Sequence, residues 1–400
     1  MPVTACTPMF PRAIANCILL LLATGCASIS RPPASIASLQ ADAVRARTEQ
    51  QAVRDSVLTR LVRRAQARTD RTLDVLLLSG GGQHGAFGVG FLRGWSSRTD
   101  APMPRFDLVS GISTGALQSP FALLGTPEAI DTITSLYREA ADRIAPGFDW
   151  WFWLRRTGGL VNTGRYERSI ATMMNQTMRA QLEREFQQDR QLLLATTDMD
   201  LGIGRVWDMR AAIRADTTTL ERARLLLYTA TAIPGIFPPR IVDGHVHSDG
   251  GIISNVLPLL SLDDYRELST RLRAAGLQGD VTVRVWVLMN IFTHAPLKLT
   301  KPSSRGNMSS RSTELLFWSA QPAALIRLQE LARAVSADVP GITMQVRIAQ
   351  PHASLAMEPG AQKLFDKAWM LRLDQIGYDQ ARSAVPWDSI ISSYERPPQR

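Results

Sequence analysis

Leu73-Asp74-Val75-Leu76-Leu77-Leu78 runs straight into Ser79-Gly80-Gly81-Gly82-Gln83-His84-Gly85-Ala86-Phe87-Gly88. An apolar run this short, stopped by glycine, predicts a buried strand. The glycines let the backbone turn sharply and aim its N–H groups into one space. Ala86 to Ser96 then predicts a helix, whose N-terminus adds positive potential behind the loop. Such a loop suits a phosphate or a developing oxyanion. Outward from this unit, strand-like and helix-like segments alternate. Strands are predicted at Phe106 to Ser110, Gln191 to Thr196, Gly204 to Asp208, Arg240 to Val242, Thr282 to Met289 and Ile342 to Ile348. Helices are predicted at Thr114 to Leu124, Pro127 to Ala141, Arg165 to Phe186, Glu221 to Ala232, Thr313 to Ala337 and Gly360 to Ala384. Alternation of this kind means an α/β fold with a mostly parallel sheet. Ser303 to Ser312, polar and interrupted by Gly306, reads as a loop.

The chain has 400 residues, 45% hydrophobic and 20% charged, which excludes a disordered, collagenous or coiled-coil protein. A net charge of +9 would suit nucleic acid or anionic lipid. The arginines are spread along the chain without an RNA-binding motif, so a mildly basic surface is the plainer reading and no nucleic-acid partner is expected. The cysteines, Cys6, Cys17 and Cys26, all lie near the N-terminus. The body of the chain therefore has neither a disulfide framework nor a cysteine zinc site.

Arg12 precedes an apolar run, Ala13 to Ala23, that is too short to span a membrane and has the length of a signal-peptide core. It ends in Leu22-Ala23-Thr24-Gly25-Cys26, which resembles the lipobox of bacterial lipoproteins. That resemblance implies cleavage after residue 25, lipidation of Cys26 and, with Ala27 following, sorting to the outer membrane of a bacterial envelope. A plain secretory signal with an incidental cysteine is the alternative. Cys26 to Ser38 reads as a tether, and Leu39 to Arg68 as a polar helix with a thin apolar stripe. The expected organisation is a signal peptide at 1–25, a lipidated tether and helix at 26–70, and one domain at 71–400.

The second informative stretch is Phe106-Asp107-Leu108-Val109-Ser110 followed by Gly111-Ile112-Ser113-Thr114-Gly115 and a helix. Gly-x-Ser-x-Gly between strand and helix lifts a serine clear of the sheet at a helix N-terminus. Gly80-x-Gly82-x-x-Gly85 also fits a dinucleotide fingerprint, and Asp100 lies about 20 residues on. Asp100 sits in a turn-like stretch, which argues against a dinucleotide. Ser113 needs a base. His294 and His352 follow it in the order an α/β-hydrolase triad would need, though neither lies in a recognisable motif. Another base is offered by Val242-Asp243-Gly244-His245-Val246-His247-Ser248-Asp249-Gly250-Gly251, which follows Ala232-Ile233-Pro234-Gly235-Ile236-Phe237-Pro238-Pro239.

These three stations in order (Gly-Gly-Gly-x-x-Gly, Gly-x-Ser-x-Gly, and Ala-x-Pro-x-x-Phe-Pro-Pro ending in Asp-Gly-Gly) resemble the patatin-like phospholipase family over roughly Val75 to Val256. The resemblance implies a three-layer α/β/α sandwich around a mostly parallel sheet. It implies a Ser113–Asp249 dyad, with Ser113 attacking a lipid ester and Asp249 moving its proton. Backbone N–H groups of Gly80, Gly81, Gly82 and Gly85 would form the oxyanion hole, while Gly111, Gly115, Gly250 and Gly251 flank the two reacting residues. No metal and no organic cofactor is implied, and the partner would be a lipid or acyl-ester substrate. Where the family often carries Arg or Lys in the glycine loop, this chain has His84, expected to pack or to shape the loop. Asp198, after the strand ending at Leu194-Ala195, is expected to be structural support.

Two features stand beside these. His245 and His247 alternate on one strand face, and without a third ligand they read as core or surface histidines rather than a metal pair. Phe148 to Arg156 is the densest aromatic cluster and suits either a lipid interface or a packed core. The function expected is a lipid acyl hydrolase. The alternatives are a serine esterase with a histidine triad, or a lipoprotein that binds lipid or protein without turnover.

Overall fold

The fold is described by a computed structural model over residues 29, 31, 33–143, 147–148, 157–257, 260–363 and 365–396. The leader, Cys26 and most of the tether lie outside the described residues, as do residues 149–156 of the aromatic cluster.

One sheet organises the described chain. Its strands are β1 (Thr72–Leu78), β2 (Leu108–Gly111), β5 (Gln191–Asp198), β6 (Ile203–Asp208), β7 (Arg240–Val242), β8 (His245–Asp249), β9 (Val281–Leu288) and β10 (Ile342–Ala349). The pair β3 (Gly147–Phe148) and β4 (Val161–Asn162) forms a separate small ribbon. The order β10-β9-β1-β2-β5 is parallel throughout, and β6, β8 and β7 add antiparallel pairings at one end. β1 is buried along its whole length, as an apolar run in the middle of a covered parallel sheet requires.

The helices are α1 (Ile36–Ala67), α2 (Gly85–Ser96), α3 (Thr114–Leu124), α4 (Pro127–Arg143), α5 (Gly164–Met173), α6 (Gln176–Gln187), α7 (Met209–Ala215), α8 (Glu221–Ala230), α9 (Leu262–Ala274), α10 (Arg305–Asp338) and α11 (Lys367–Arg382). One core joins α2 to α8 and α11 with one face of the sheet, around Phe87, Phe91 and Leu192. A second joins α1, α9 and α10 with the other face, around Leu61, Val283 and Leu325. The architecture is the three-layer α/β/α sandwich expected, with a mostly parallel sheet.

Local chemistry moved several boundaries. α1 starts at Ile36 because Ser35 caps it, its hydroxyl accepting the Ser38 amide at 3.1 Å. The stretch from Arg165 to Phe186 is two helices, since Asn175 ends one and caps the next by accepting the Met178 amide at 2.9 Å. Ser303 to Ser312 is not a loop: α10 begins at Arg305, capped by Ser304. The serines in its first turns point outward or bond back along the helix, as Ser312 does to the Met308 carbonyl.

Candidate active site

The register of β5 explains how two distant stretches meet. Leu194 pairs with Gly111 of β2, and Thr196 pairs with Asp249 of β8. Both residues also pair with β6, so β2 and β8 must share the opposite edge of β5. β2 ends there and β8 arrives from the other direction. Two residues past Gly111, the chain bends at Ser113, which has φ 52° and ψ −125°. A non-glycine residue in that region is strained and must be held by its surroundings. Here the Ser113 amide donates to the Ala230 carbonyl at 3.0 Å, and the Ala116 amide donates to the Ser113 carbonyl at 2.8 Å. Gly115 permits the bend, since a Cβ there would stand 2.3 Å from the Leu78 carbonyl oxygen. α3 can therefore press its N-terminus against the end of β1.

Asp249 sits opposite the bend. Its Oδ1 accepts the Gly251 amide at 2.8 Å. Its Oδ2 is buried and has no partner that meets hydrogen-bond geometry. Burial pushes the Asp249 carboxyl up to about 6, while the neighbouring Ser113 hydroxyl and the Gly251 amide favour the ionised form. Serine and aspartate are therefore in reach of one another, and one carboxylate oxygen is left buried and unpaired. Gly250 packs on the Ala195 carbonyl, which a Cβ would approach to 2.6 Å.

The glycine loop lies against the same serine. A Cβ on Gly80 would stand 2.9 Å from Ser113 Cβ. The four glycines do different things. The Gly80 amide donates to Asn255 Oδ1 at 2.9 Å, and the Gly85 amide closes on the Gly82 and Gln83 carbonyls. Neither of these amides is open to a ligand. The amides of Gly81 and Gly82 have no acceptor among the described residues. Gly82, at φ 56°, borders the cleft that holds Ser113.

Buried amide side chains hold this loop, and the sequence reading did not pick them out. Asn290 Nδ2 donates to the Ser79 carbonyl at 2.7 Å, and Gln118 Nε2 donates to the Gly85 carbonyl at 2.8 Å. Gln83 reaches the other way. Its Nε2 donates to the Gly360 and Lys363 carbonyls at 3.0 and 2.6 Å, and its Oε1 accepts the Asp366 amide at 2.8 Å. Only Gln83 carried a signal, as a polar residue inside the glycine motif. Asn255, Asn290 and Gln118 lie outside any motif, and their role depends on tertiary contact.

A cleft of about 750 Å³, its open mouth included, leads away from Ser113. Leu117, Ile133, Leu136, Ile170, Met173 and Phe365 are among its mainly apolar walls. The buried Tyr137 hydroxyl hydrogen-bonds Thr114 beside the serine, and burial pushes Tyr137 up to about 12, so it stays a neutral donor.

The histidines are occupied elsewhere. His84 is half-buried, and desolvation of its ring lowers its pKa; Nδ1 donates to the Gly81 carbonyl at 3.0 Å, and the ring packs edge-on against Phe292 and Trp369. It shapes the loop from behind. His245 bridges Asp198 at 2.8 Å and Asp42 of α1 at 3.0 Å. His247 meets Thr196 at 2.9 Å, and burial holds it down to about 4. Asp198, Asp200 and His245 lie close enough together to suggest a metal. The two carboxylates already have partners of their own: Asp200 pairs with Arg31 and accepts the Val246 amide, and Asp198 accepts two backbone amides and lies 3.7 Å from Arg205. His294 donates to the Ser392 carbonyl, and His352 caps the turn at Ser354. Among the described residues, no histidine hydrogen-bonds Ser113 or Asp249.

Fold and site together define a class: a mostly parallel α/β/α domain that holds a serine on a strand-to-helix bend, beside a glycine loop and a buried carboxylate. Residues 76–263 match the family model for patatin-like phospholipases, so this stretch is similar to a domain of that family. Among solved structures, VipD from Legionella pneumophila aligns at 12% identity with a TM-score of 0.33, covering 77% of this chain and 66% of that one. This chain thus spans just under two thirds of that protein. No curated protein sequence matches the chain.

Proposed function

We propose that the protein hydrolyses acyl esters of lipids through Ser113 and Asp249. Asp249 takes the Ser113 proton as Oγ attacks the ester carbonyl carbon, and the carbonyl oxygen becomes an oxyanion facing the Gly81 and Gly82 amides. The C–O bond to the alcohol then breaks, and the alcohol leaves with the proton from Asp249. Water attacks the acyl-Ser113 ester, giving its proton to Asp249. Collapse returns that proton to Ser113 and releases the fatty acid. The observation that carries the reading is the buried, unpaired carboxylate oxygen of Asp249 beside a strained serine at the head of an apolar cleft. The cleft suits an acyl chain, while the headgroup would stay at the mouth.

A fluorophosphonate probe tests this reading. It is expected to label Ser113 in the parent protein and nothing in Ser113→Ala. No labelling, with no turnover of nitrophenyl esters, would leave a lipid- or protein-binding role. A histidine triad would instead show as activity lost in His294→Ala or His352→Ala and kept in Asp249→Asn. Anchoring in a bacterial outer membrane through Cys26 belongs to the same proposal. It predicts that labelled palmitate is incorporated into the protein in cells and not into Cys26→Ser.

A further inference from the structure

The two halves of α10 differ. From Gln321 onward the helix packs into the core through Gln321, Leu325, Leu328 and Val335. From Arg305 to Ala320, only Arg311, Glu314 and Trp318 are not exposed. This half carries Met308, Leu315, Leu316 and Phe317 in solvent, Leu316 at 73% exposure. Leu299, on the approach to the helix, is fully exposed at 100%. Large apolar residues gathered on one projecting element mark a surface that is covered in use.

The charge around them favours one occupant. From Phe292 to Ala320 the chain has Lys298, Lys301, Arg305 and Arg311 against a single acid, Glu314. Glu314 pairs with Lys298 at 3.5 Å and Arg311 at 3.0 Å, while Lys301 and Arg305 have no acidic partner among the described residues. Cations interleaved with Leu, Met and Phe are the composition of an element that lies in a lipid interface with anionic headgroups.

A chain of contacts ties this stretch to the glycine loop and to the far wall of the cleft. The Trp318 ring stacks on Phe292 at 6.2 Å, and Phe292 packs against His84 of the glycine loop at 5.1 Å. The Leu297 amide donates to Met357 Sδ at 3.1 Å. Met357, itself half exposed, precedes the stretch that Gln83 holds and that brings Phe365 to the cleft. We infer that the exposed stretch from Leu299 to Phe317 docks the protein on an anionic lipid surface, with the cleft mouth beside the headgroups. This deepens the lipid-hydrolase reading and rests on it for its purpose.

The test uses the full chain carrying Cys26→Ser, so that no acyl anchor contributes, and phosphatidylcholine vesicles with or without phosphatidylglycerol. Partition is read by sedimentation. Leu299→Ser with Leu316→Ser is expected to lower partition onto both vesicles by about tenfold or more. Lys301→Glu with Arg305→Glu is expected to lower it by about tenfold on the anionic vesicles alone. Hydrolysis of soluble nitrophenyl butyrate should stay within about twofold of the parent in both. Equal partition of parent and variants overturns the proposal. So does a dimer of the parent that the leucine variant dissolves without any change in partition, which would assign the surface to a second copy of the chain. If the parent hydrolyses no ester and the variants still lose partition, the docking surface stands and the hydrolase reading falls.

Discussion

Ser113 and Asp249 are fastened to one short segment: the Ser113 amide donates to the Ala230 carbonyl at 3.0 Å and the Asp249 amide to the Ala232 carbonyl at 2.9 Å. The end of α8 therefore sets the spacing of the two side chains. Thr231, between the two acceptors, takes a hydrogen bond from the Tyr166 hydroxyl at 2.7 Å. The Ala-x-Pro stretch that follows α8 thus begins at a structural brace of the site.

The first prediction concerns the acid limb of activity. A base must be ionised to accept a proton, and burial pushes Asp249 up to about 6. The rate constant kcat/KM on a soluble ester should rise with pH through an apparent value near 6 and level off above it. Asp249→Asn should lose about 10³-fold with KM little changed. A rate that is flat between pH 4.5 and 8 would assign the base elsewhere.

The same burial has a stability consequence of opposite sense. The folded-state value of about 6 lies above the unfolded value of 3.8. Folding thus favours the protonated form. Below pH 3.8 the contribution is fully present, and it is lost as pH rises through 6. At pH 8 the native state carries a buried charge that Asp249→Asn removes. The variant should be more stable than the parent by up to about 3 kcal/mol at pH 8 and nearly equal to it at pH 4. Urea titrations at the two pH values measure this. A variant less stable at pH 8 would mean that the carboxylate is better solvated than its 5% exposure implies.

Gln83 links the glycine loop to the far wall of the cleft. Replacing it with Leu keeps its bulk and removes its three hydrogen bonds to the 360–366 stretch. Phe365, held at φ 54° on that stretch, should then lose its fixed place at the cleft wall. The expected signature is selective: KM for long-chain nitrophenyl esters rises by about tenfold, equivalent to about 1.4 kcal/mol of lost ordering, while butyrate is turned over as before. Uniform loss at all chain lengths would instead place Gln83 in the support of the Gly81 and Gly82 amides.

Much of this was legible in the chain because each motif is a local solution to a local problem. The run Leu73 to Leu78 is buried on both faces and so reads as continuous apolar sequence. Gly-x-Ser-x-Gly reports a bend that needs small neighbours, and the Cβ clash at Gly115 shows why. The division of labour among Gly80, Gly81, Gly82 and Gly85 was not legible. It depends on Asn255, distant in sequence, claiming the Gly80 amide. The first turns of α10 were misread because serine and glycine are as acceptable in a capped, solvent-facing turn as in a loop. The sheet register that sets Asp249 opposite Thr196 could not be read from β8 itself, a short strand of mixed polar residues.

The last prediction concerns α1, whose polar sequence says little about where it belongs. Asp107 is fully buried at the start of β2, and it fastens this helix to the sheet. Its Oδ1 accepts Arg64 Nε at 2.7 Å, and its Oδ2 accepts Arg68 Nη1 at 3.1 Å and the Asp74 amide at 2.8 Å. Arg68 also pairs with Asp74, which Arg284 and the Trp286 indole hold from the other side. Asp107→Ala leaves two largely buried guanidinium groups short of a partner, where removing one member of such a network costs about 3 to 5 kcal/mol. Urea denaturation should show a loss of that size. Amide exchange in the last two turns of α1 should quicken before exchange in β1 does, because the helix is fastened there and the strand is covered on both faces. A loss below 1 kcal/mol would mean that α1 is held by its apolar stripe and its other polar contacts, such as Arg60 with Asp208 and Gln50 with Val206, with Arg64 and Arg68 content in water.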